Sequence, residues 1–267
     1  MRKAFVQALC ELAELDERVM LLTADLGWSV LEPFAERFPD RFVNVGVAEQ
    51  NMLGIATGLA REGFVPFAYS IATFASMRCY EQFRNGPVLH HLPVRVIGTG
   101  GGFAYGHAGP THHAIEDLAI ARALPGVTTL APADGAQARS IVFASATVPG
   151  PIYMRIDKSE APDLPGLHGS FRFNEPILVR PGRDLLVISA GSITTEALEA
   201  AEHLTSSAQS PAVAVMAHLS FQGSPALADF LRQFPEVVVL EEGSTAGGLG
   251  SLIAETIAEF GLPCRLL

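Results

Sequence analysis

Glu49 is the carboxylate best placed in this sequence to do chemistry. It stands at the seam between a short apolar run, residues 42–47, and a stretch, 50–62, with apolar residues at helical spacing. A side chain at such a seam is free to point at a ligand. The same position also suits a plain charge in a first helical turn, which gains about 0.3–1 kcal/mol from the helix dipole and does no chemistry. Downstream, Phe74, Met77 and Tyr80 are spaced three apart, so on a helix they share one face. That face is either core packing or a wall for a flat heteroaromatic ring, with Glu49 supplying the in-plane hydrogen bond.

A loop at 98–113 follows the apolar run 94–97 and holds His107, His112 and His113 among its glycines. Loops at the carboxyl ends of parallel strands form ligand crevices. The third glycine of a dinucleotide fingerprint is missing here, and no helix begins to meet a pyrophosphate. No acidic or thiol partner stands at regular spacing beside the histidines, so no metal site is assigned. Neutral imidazoles that position a substrate or move its protons are the functional reading. Solvated or hydrogen-bonded structural histidines are the plain one. A second glycine-rich loop, 243–250, either holds an anion on free amides or makes a tight strand-to-helix turn, and the turn is preferred.

Strand-like runs at 19–22, 42–47, 64–69, 94–97, 127–130 and 152–156 must position these residues, and helix-like runs of ten or more residues separate them. The alternation predicts an α/β fold with a mostly parallel sheet covered by helices. Residues 159–176 carry Pro162, Pro165 and Pro176, with Pro181 just beyond, and show no periodicity. They read as a linker. The pattern then restarts with strands at 185–189, 212–216 and 237–240 and helices at 194–204, 225–234 and 248–260. The expected domains are 1–160, a linker at 161–176, and a smaller α/β unit at 177–267.

Composition narrows the partners. At 267 residues with 49% hydrophobic and 17% charged, the chain can bury a large core. Its 18 basic and 28 acidic residues give a net charge of −10, which disfavours nucleic acid and anionic lipid. No stretch of 18 uninterrupted apolar residues predicts a membrane span. Residues 4–15 read as an amphipathic first helix. Cys10, Cys79 and Cys264 are odd in number and far apart, as in reduced thiols of a cytoplasmic protein.

Taken together, the motifs resemble the transketolase-like thiamine diphosphate enzymes, specifically their pyrimidine-binding domain followed by their C-terminal domain. The carriers are Phe38-Pro-Asp-Arg-Phe-Val-Asn-Val-Gly-Val-Ala-Glu49-Gln-Asn-Met, Ala72-Thr-Phe74 with Glu81-Gln-Phe-Arg84, Gly109-Pro-Thr-His112, Ala131-Pro-Ala-Asp134, Tyr153-Met-Arg155 and Glu241-Glu-Gly-Ser-Thr-Ala-Gly-Gly-Leu-Gly-Ser251. They occur in the family's order over nearly the whole chain. The resemblance implies that Glu49 bonds the aminopyrimidine ring of thiamine diphosphate and drives it to the imino form. A carboxyl group in a dry pocket can share a proton with a ring nitrogen. Phe74, Met77 and Tyr80 match the aromatic wall, with a methionine where some relatives carry an aromatic. His107 lies in the matching substrate loop, His112 matches a histidine that contacts donor and intermediate oxygens, and Arg155 matches an arginine that grips a substrate phosphate.

The family also uses a diphosphate-binding domain whose Gly-Asp-Gly segment and downstream Asn hold Mg2+, and this sequence contains no Gly-Asp-Gly. The resemblance therefore implies a split transketolase: a partner subunit with that domain, Mg2+ ligands on the partner, and a heterotetramer acting on small sugars. Activity is expected only with the partner. The alternatives are a split deoxyxylulose-phosphate synthase-like or 2-oxo acid dehydrogenase beta-like subunit, and a non-catalytic binding partner of the same fold. Intact Glu49 and His112 argue against the last. His107-Ala108 replaces an acidic pair frequent in relatives, and Gly98–Gly102 replaces a His or Arg of sugar-phosphate enzymes, so altered acceptor recognition is expected. The sequence ends at 264–267 within what reads as a strand that relatives continue, so the second domain is expected to be either naturally short or cut.

Overall fold

The computed structural model describes residues 1–160, 162–205 and 209–267. Its strands are β1 (Val19–Thr23), β2 (Phe42–Asn44), β3 (Val65–Ile71), β4 (Arg95–Thr99), β5 (Thr128–Leu130), β6 (Ile152–Ile156), β7 (Ile177–Arg180), β8 (Leu185–Ala190), β9 (Pro211–Val215), β10 (His218–Leu219), β11 (Glu236–Glu241) and β12 (Arg265–Leu266). The helices are α1 (Arg2–Leu15), α2 (Glu32–Arg37), α3 (Glu49–Arg61), α4 (Tyr80–Phe83), α5 (Asp117–Arg122), α6 (Gly135–Ser145), α7 (Thr194–Thr205), α8 (Pro225–Leu231) and α9 (Leu249–Glu259). Among the described residues they form one sheet of seven strands, ordered β10-β5-β6-β4-β3-β1-β2, and one of five, ordered β12-β11-β8-β9-β7.

The mostly parallel α/β architecture is the one the alternation predicts. Every residue of β1, β3, β4 and β6 is buried, as parallel strands covered on both faces require. Apolar runs such as Val-Met-Leu-Leu in β1 supply that burial. Helix α1 turns Phe5, Leu9 and Leu12 inward, and α3 turns Met52, Leu53 and Ala56 inward, each as one apolar stripe.

Two strands were not expected. Strand β7 pairs antiparallel with β9 in the second sheet. Strand β10, in the second half of the chain, pairs antiparallel with β5 and so extends the first sheet; with two residues it is too short to show a period. Strand β12, within the run 264–267 that reads as a strand, pairs with β11 at the edge of the second sheet.

The segment expected as a linker is packed along its described part; residue 161 lies outside the described residues. Leu164 and Leu167 are buried, and the Asp134 carboxylate that caps α6 through Gln137 N also accepts from Leu164 N at 2.8 Å. Gln137 donates to the Ser170 carbonyl. The described part of the segment runs through turns at 165–169 and 173–174 and is held against the first unit by these bonds.

Residues 74–88 also depart from the expected single helix. Two π-type turns, Phe74–Arg78 and Arg84–Val88, flank the four residues of α4. Ser76 Oγ donates back to Ala72 O, and Cys79 Sγ to Ala75 O, side-chain bonds that compete with the regular ladder. Pro87, which has no N–H, falls within the second turn.

Candidate active site

Glu49 is the first residue of α3, entered through Gly46 at φ 75°, a left-handed conformation suited to glycine. The expected strand 42–47 stops at Asn44 because the Asn44 side chain accepts from both Gly46 N and Asp25 N and turns the chain. That turn brings Glu49 down onto β3. Its side chain is 1% exposed. Arg78 Nη1 donates to Glu49 Oε2 at 2.8 Å, while Oε1 has only Ser70 Oγ at 3.5 Å. A buried carboxylate with one strong partner and one weakly held oxygen has room for another donor.

Phe74 lies beside this pair. The Arg78 guanidinium sits 4.0 Å from the Phe74 ring centroid, and the His112 ring meets Phe74 edge-on at 5.1 Å. Phe74, Met77 and Arg78 line a cleft of about 490 Å³ with Thr73, Pro110, Thr111, His113 and Glu116. Tyr80 is not on its wall. The expectation of three residues on one helical face is corrected by the π-type turn and by Cys79 (φ −117°, ψ 24°), which breaks the helix after Arg78. Tyr80 packs against the core instead, and its hydroxyl donates to Ile120 O at 2.9 Å.

The histidine loop folds as two short turns, Gly106–Ala108 and Pro110–His112, hinged on Gly109 at φ 83°. His107 is exposed on the first turn. His112 Nδ1 lies 3.0 Å from Thr111 Oγ1, which leaves Nε2 for a ligand. His113 is held by Gly106 O at 3.2 Å and by the Phe103 ring, a structural role. Among the described residues no cluster of three or more His, Cys, Asp or Glu is arranged to hold a metal, and no helix is long and apolar enough to cross a membrane.

Arg155 does not line the cleft. At 4% exposure it donates to Asp117 Oδ1 at 3.2 Å and to the Glu242 carbonyl at 2.9 Å. Asp117 also accepts from Tyr153 Oη at 2.7 Å. Burial opposes the arginine's charge, but Asp117, Tyr153 and Glu242 raise its pKa above the usual value. Burial, then Asp117, raises that of Tyr153. Arg155 Nη1 is thus held by Asp117 and Glu242 at the junction of the two units, away from the cleft, while Nη2 has no hydrogen-bond partner among the described residues.

The glycine loop 243–250 makes a tight turn, as preferred. Glu241 accepts from Leu249 N at 2.8 Å and Gly250 N at 2.9 Å, so the amides that might hold an anion already hold a carboxylate. A Cβ on Gly248 would lie 2.1 Å from Glu241 Oε2, so a side chain there would push the carboxylate off the amides it holds.

Two residues received no role from the sequence. Arg78 was visible only as part of an aromatic segment. Asp25 follows β1 at φ 58°, bonds Asn44 Nδ2 at 3.0 Å, and lines a cavity of about 180 Å³ with the exposed Trp28. A polar residue at the carboxyl end of a parallel strand was the signal that could have found it.

A two-unit α/β chain with a buried glutamate and a phenylalanine at the strand ends is the architecture of the transketolase class. Residues 1–163 match the transketolase pyrimidine binding domain, and residues 176–266 match the transketolase C-terminal domain. The chain belongs to the transketolase family. It is 35% identical to a putative transketolase C-terminal section of Methanocaldococcus jannaschii, over 100% of this chain and 84% of that protein. It is 32% identical to one of the subunits of the apulose-4-phosphate transketolase of Phocaeicola vulgatus, over 100% and 86% respectively. A solved structure of a split gene transketolase, described as an inactive beta4 tetramer, superimposes with a TM-score of 0.88 at 37% identity, covering 100% of this chain and 87% of that one. These relationships make it the pyrimidine-binding subunit of a transketolase-type transferase. Matches to 1-deoxy-D-xylulose-5-phosphate synthase, such as that of Oleidesulfovibrio alaskensis at 34% identity, span 41% of that enzyme and fit the alternative less well.

Proposed function

We propose that this chain supplies the pyrimidine side of a thiamine diphosphate site shared with a diphosphate-binding partner subunit, in a heterotetramer whose Mg2+ ligands lie on the partner. The observation that carries the reading is Glu49, a buried carboxylate whose one strong partner, Arg78, lies over the Phe74 ring and lines the cleft with it. A flat, nitrogen-bearing ring fits there: Phe74 offers a face, and Glu49 accepts in plane. When bound, thiamine diphosphate supplies a carbon nucleophile able to carry a two-carbon ketol unit from a ketose to an aldehyde.

In this reading Glu49 holds and releases a proton at the ring nitrogen it faces. Burial excludes water from that exchange. Phe74 and Met77 form the wall, and Tyr80 backs it from the core. His112, oriented by Thr111, turns Nε2 toward substrate oxygens, and His107 on the exposed turn reaches the outer end of the substrate. Arg155 is left out of the substrate site.

The acceptor reading follows from Gly100 and Ala108. A Cβ on Gly100 would lie 2.3 Å from the Tyr105 ring, so an aromatic ring fills the space next to this glycine. With Arg155 committed elsewhere, an acceptor that is less hydroxylated or unphosphorylated is favoured, and ribose 5-phosphate is used poorly. The assembly is tested by titrating thiamine diphosphate and Mg2+ into the chain alone and into the chain with its partner. Weak binding alone and turnover only with the partner are expected. Tight Mg2+-dependent binding by the chain alone contradicts the shared site.

A further inference from the structure

Arg78 takes both contacts that the preceding reading gives to the cofactor's aminopyrimidine. Its guanidinium is flat and nitrogen-bearing; it lies 4.0 Å from the Phe74 centroid and donates to Glu49 at 2.8 Å. Two planar groups cannot share one ring face and one buried acceptor. We propose that the Arg78 side chain is a built-in occupant of the pyrimidine seat, which keeps Glu49 paired while the site is free and must swing out for the ring to enter. The inference rests on the shared-cofactor reading.

Three features allow the exchange. Arg78 is 43% exposed, so its guanidinium regains water on leaving. Glu49 is buried and needs a donor, so the seat stays closed in most molecules and opens as water or another donor takes the arginine's place. The backbone at this position stays put, because the Gln50 side chain donates to Arg78 O at 3.2 Å and ties the turn to α3. Only the side chain has to move. Arginine, unlike lysine, offers a plane that stacks as well as a charge.

Competition by a resident group lowers apparent affinity by the fraction of molecules in which the seat is open. The test is calorimetric titration of thiamine diphosphate with Mg2+ into the chain together with its diphosphate-binding partner, for the wild type, Arg78→Ala, Arg78→Lys and Glu49→Ala. Melting curves confirm that each variant is folded. Arg78→Ala is expected to bind about tenfold tighter, the change for a seat closed in nine molecules of ten, with Arg78→Lys between. Millimolar guanidinium ion should weaken binding to Arg78→Ala and leave the wild type unchanged. Folded Arg78→Ala and Arg78→Lys that bind no tighter than wild type overturn the inference, while a weaker Glu49→Ala leaves the cofactor reading intact. Absence of binding by all versions, or a Glu49→Ala that binds like wild type, overturns the cofactor reading itself.

Discussion

Two arginine–carboxylate pairs in this chain have the same chemistry and opposite surroundings. At the cleft, Glu49 is buried but Arg78 is 43% exposed; at the junction of the two units, Asp117 and Arg155 are 0% and 4% exposed. The junction pair is also braced by Tyr153 and by the Glu242 carbonyl, and a Cβ on Gly101 would meet the Arg155 side chain at 2.3 Å. Neither junction charge can leave without stranding the other. The cleft pair has one partner with a route to water. Burial of the second partner separates a pair that holds the fold from one that can be traded for a ligand.

The largest expected effect comes from breaking the junction. Asp117→Ala strands Arg155 and removes the acceptor of Tyr153, so chemical denaturation should show a loss of about 3–5 kcal/mol. A loss under about 1 kcal/mol would mean that water reaches the junction, and the contrast with the cleft would weaken.

His218 on β10 sharpens the same contrast. Burial pushes its pKa down to about 4, and its Nδ1 accepts from Asn174 N at 3.0 Å, as a neutral ring must. Between the unfolded value near 6.5 and about 4, the unfolded chain takes up a proton that the folded chain refuses. Its contribution is therefore complete above about pH 6.5 and is lost as pH falls toward 4, roughly 3 kcal/mol in all. Denaturation at a series of pH values should show this slope, and His218→Gln should flatten it. A variant with an unchanged slope would assign the pH dependence to other groups.

The smallest effect belongs to the cleft. Arg78→Ala should cost about 1 kcal/mol or less in the cofactor-free chain, because water enters the open cleft and solvates Glu49. A loss as large as that of Asp117→Ala would make the two pairs equivalent and Arg78 a structural residue.

The seam that places Glu49, and the strand ends that precede Phe74 and the histidine loop, were legible in the sequence. The seam of β2 and α3 and the carboxyl ends of parallel strands follow from periodicity. The contacts of Arg155 were not legible, since Asp117 lies 38 positions away and Glu242 lies in the other unit. Spacing also failed at Tyr80: it assumes 3.6 residues per turn, and the back-bonds of Ser76 and Cys79 replace that turn with a wider one. Short strands such as β10 carry no pattern, so the pairing that joins the two halves of the chain appears only in three dimensions.

The most direct measurement is deuterium exchange at the thiazolium carbon of thiamine diphosphate in the complex of this chain with its partner, comparing wild type, Glu49→Gln and Asp117→Asn under conditions where all are folded. Glutamine keeps the size of the side chain but cannot take up and release a proton as an acid–base group. Exchange should fall about 100-fold or more in Glu49→Gln, the loss expected of a positioned acid–base group, and change only a few-fold in Asp117→Asn. Equal exchange in Glu49→Gln and wild type would contradict the account and leave Glu49 as a buried charge at the start of a helix.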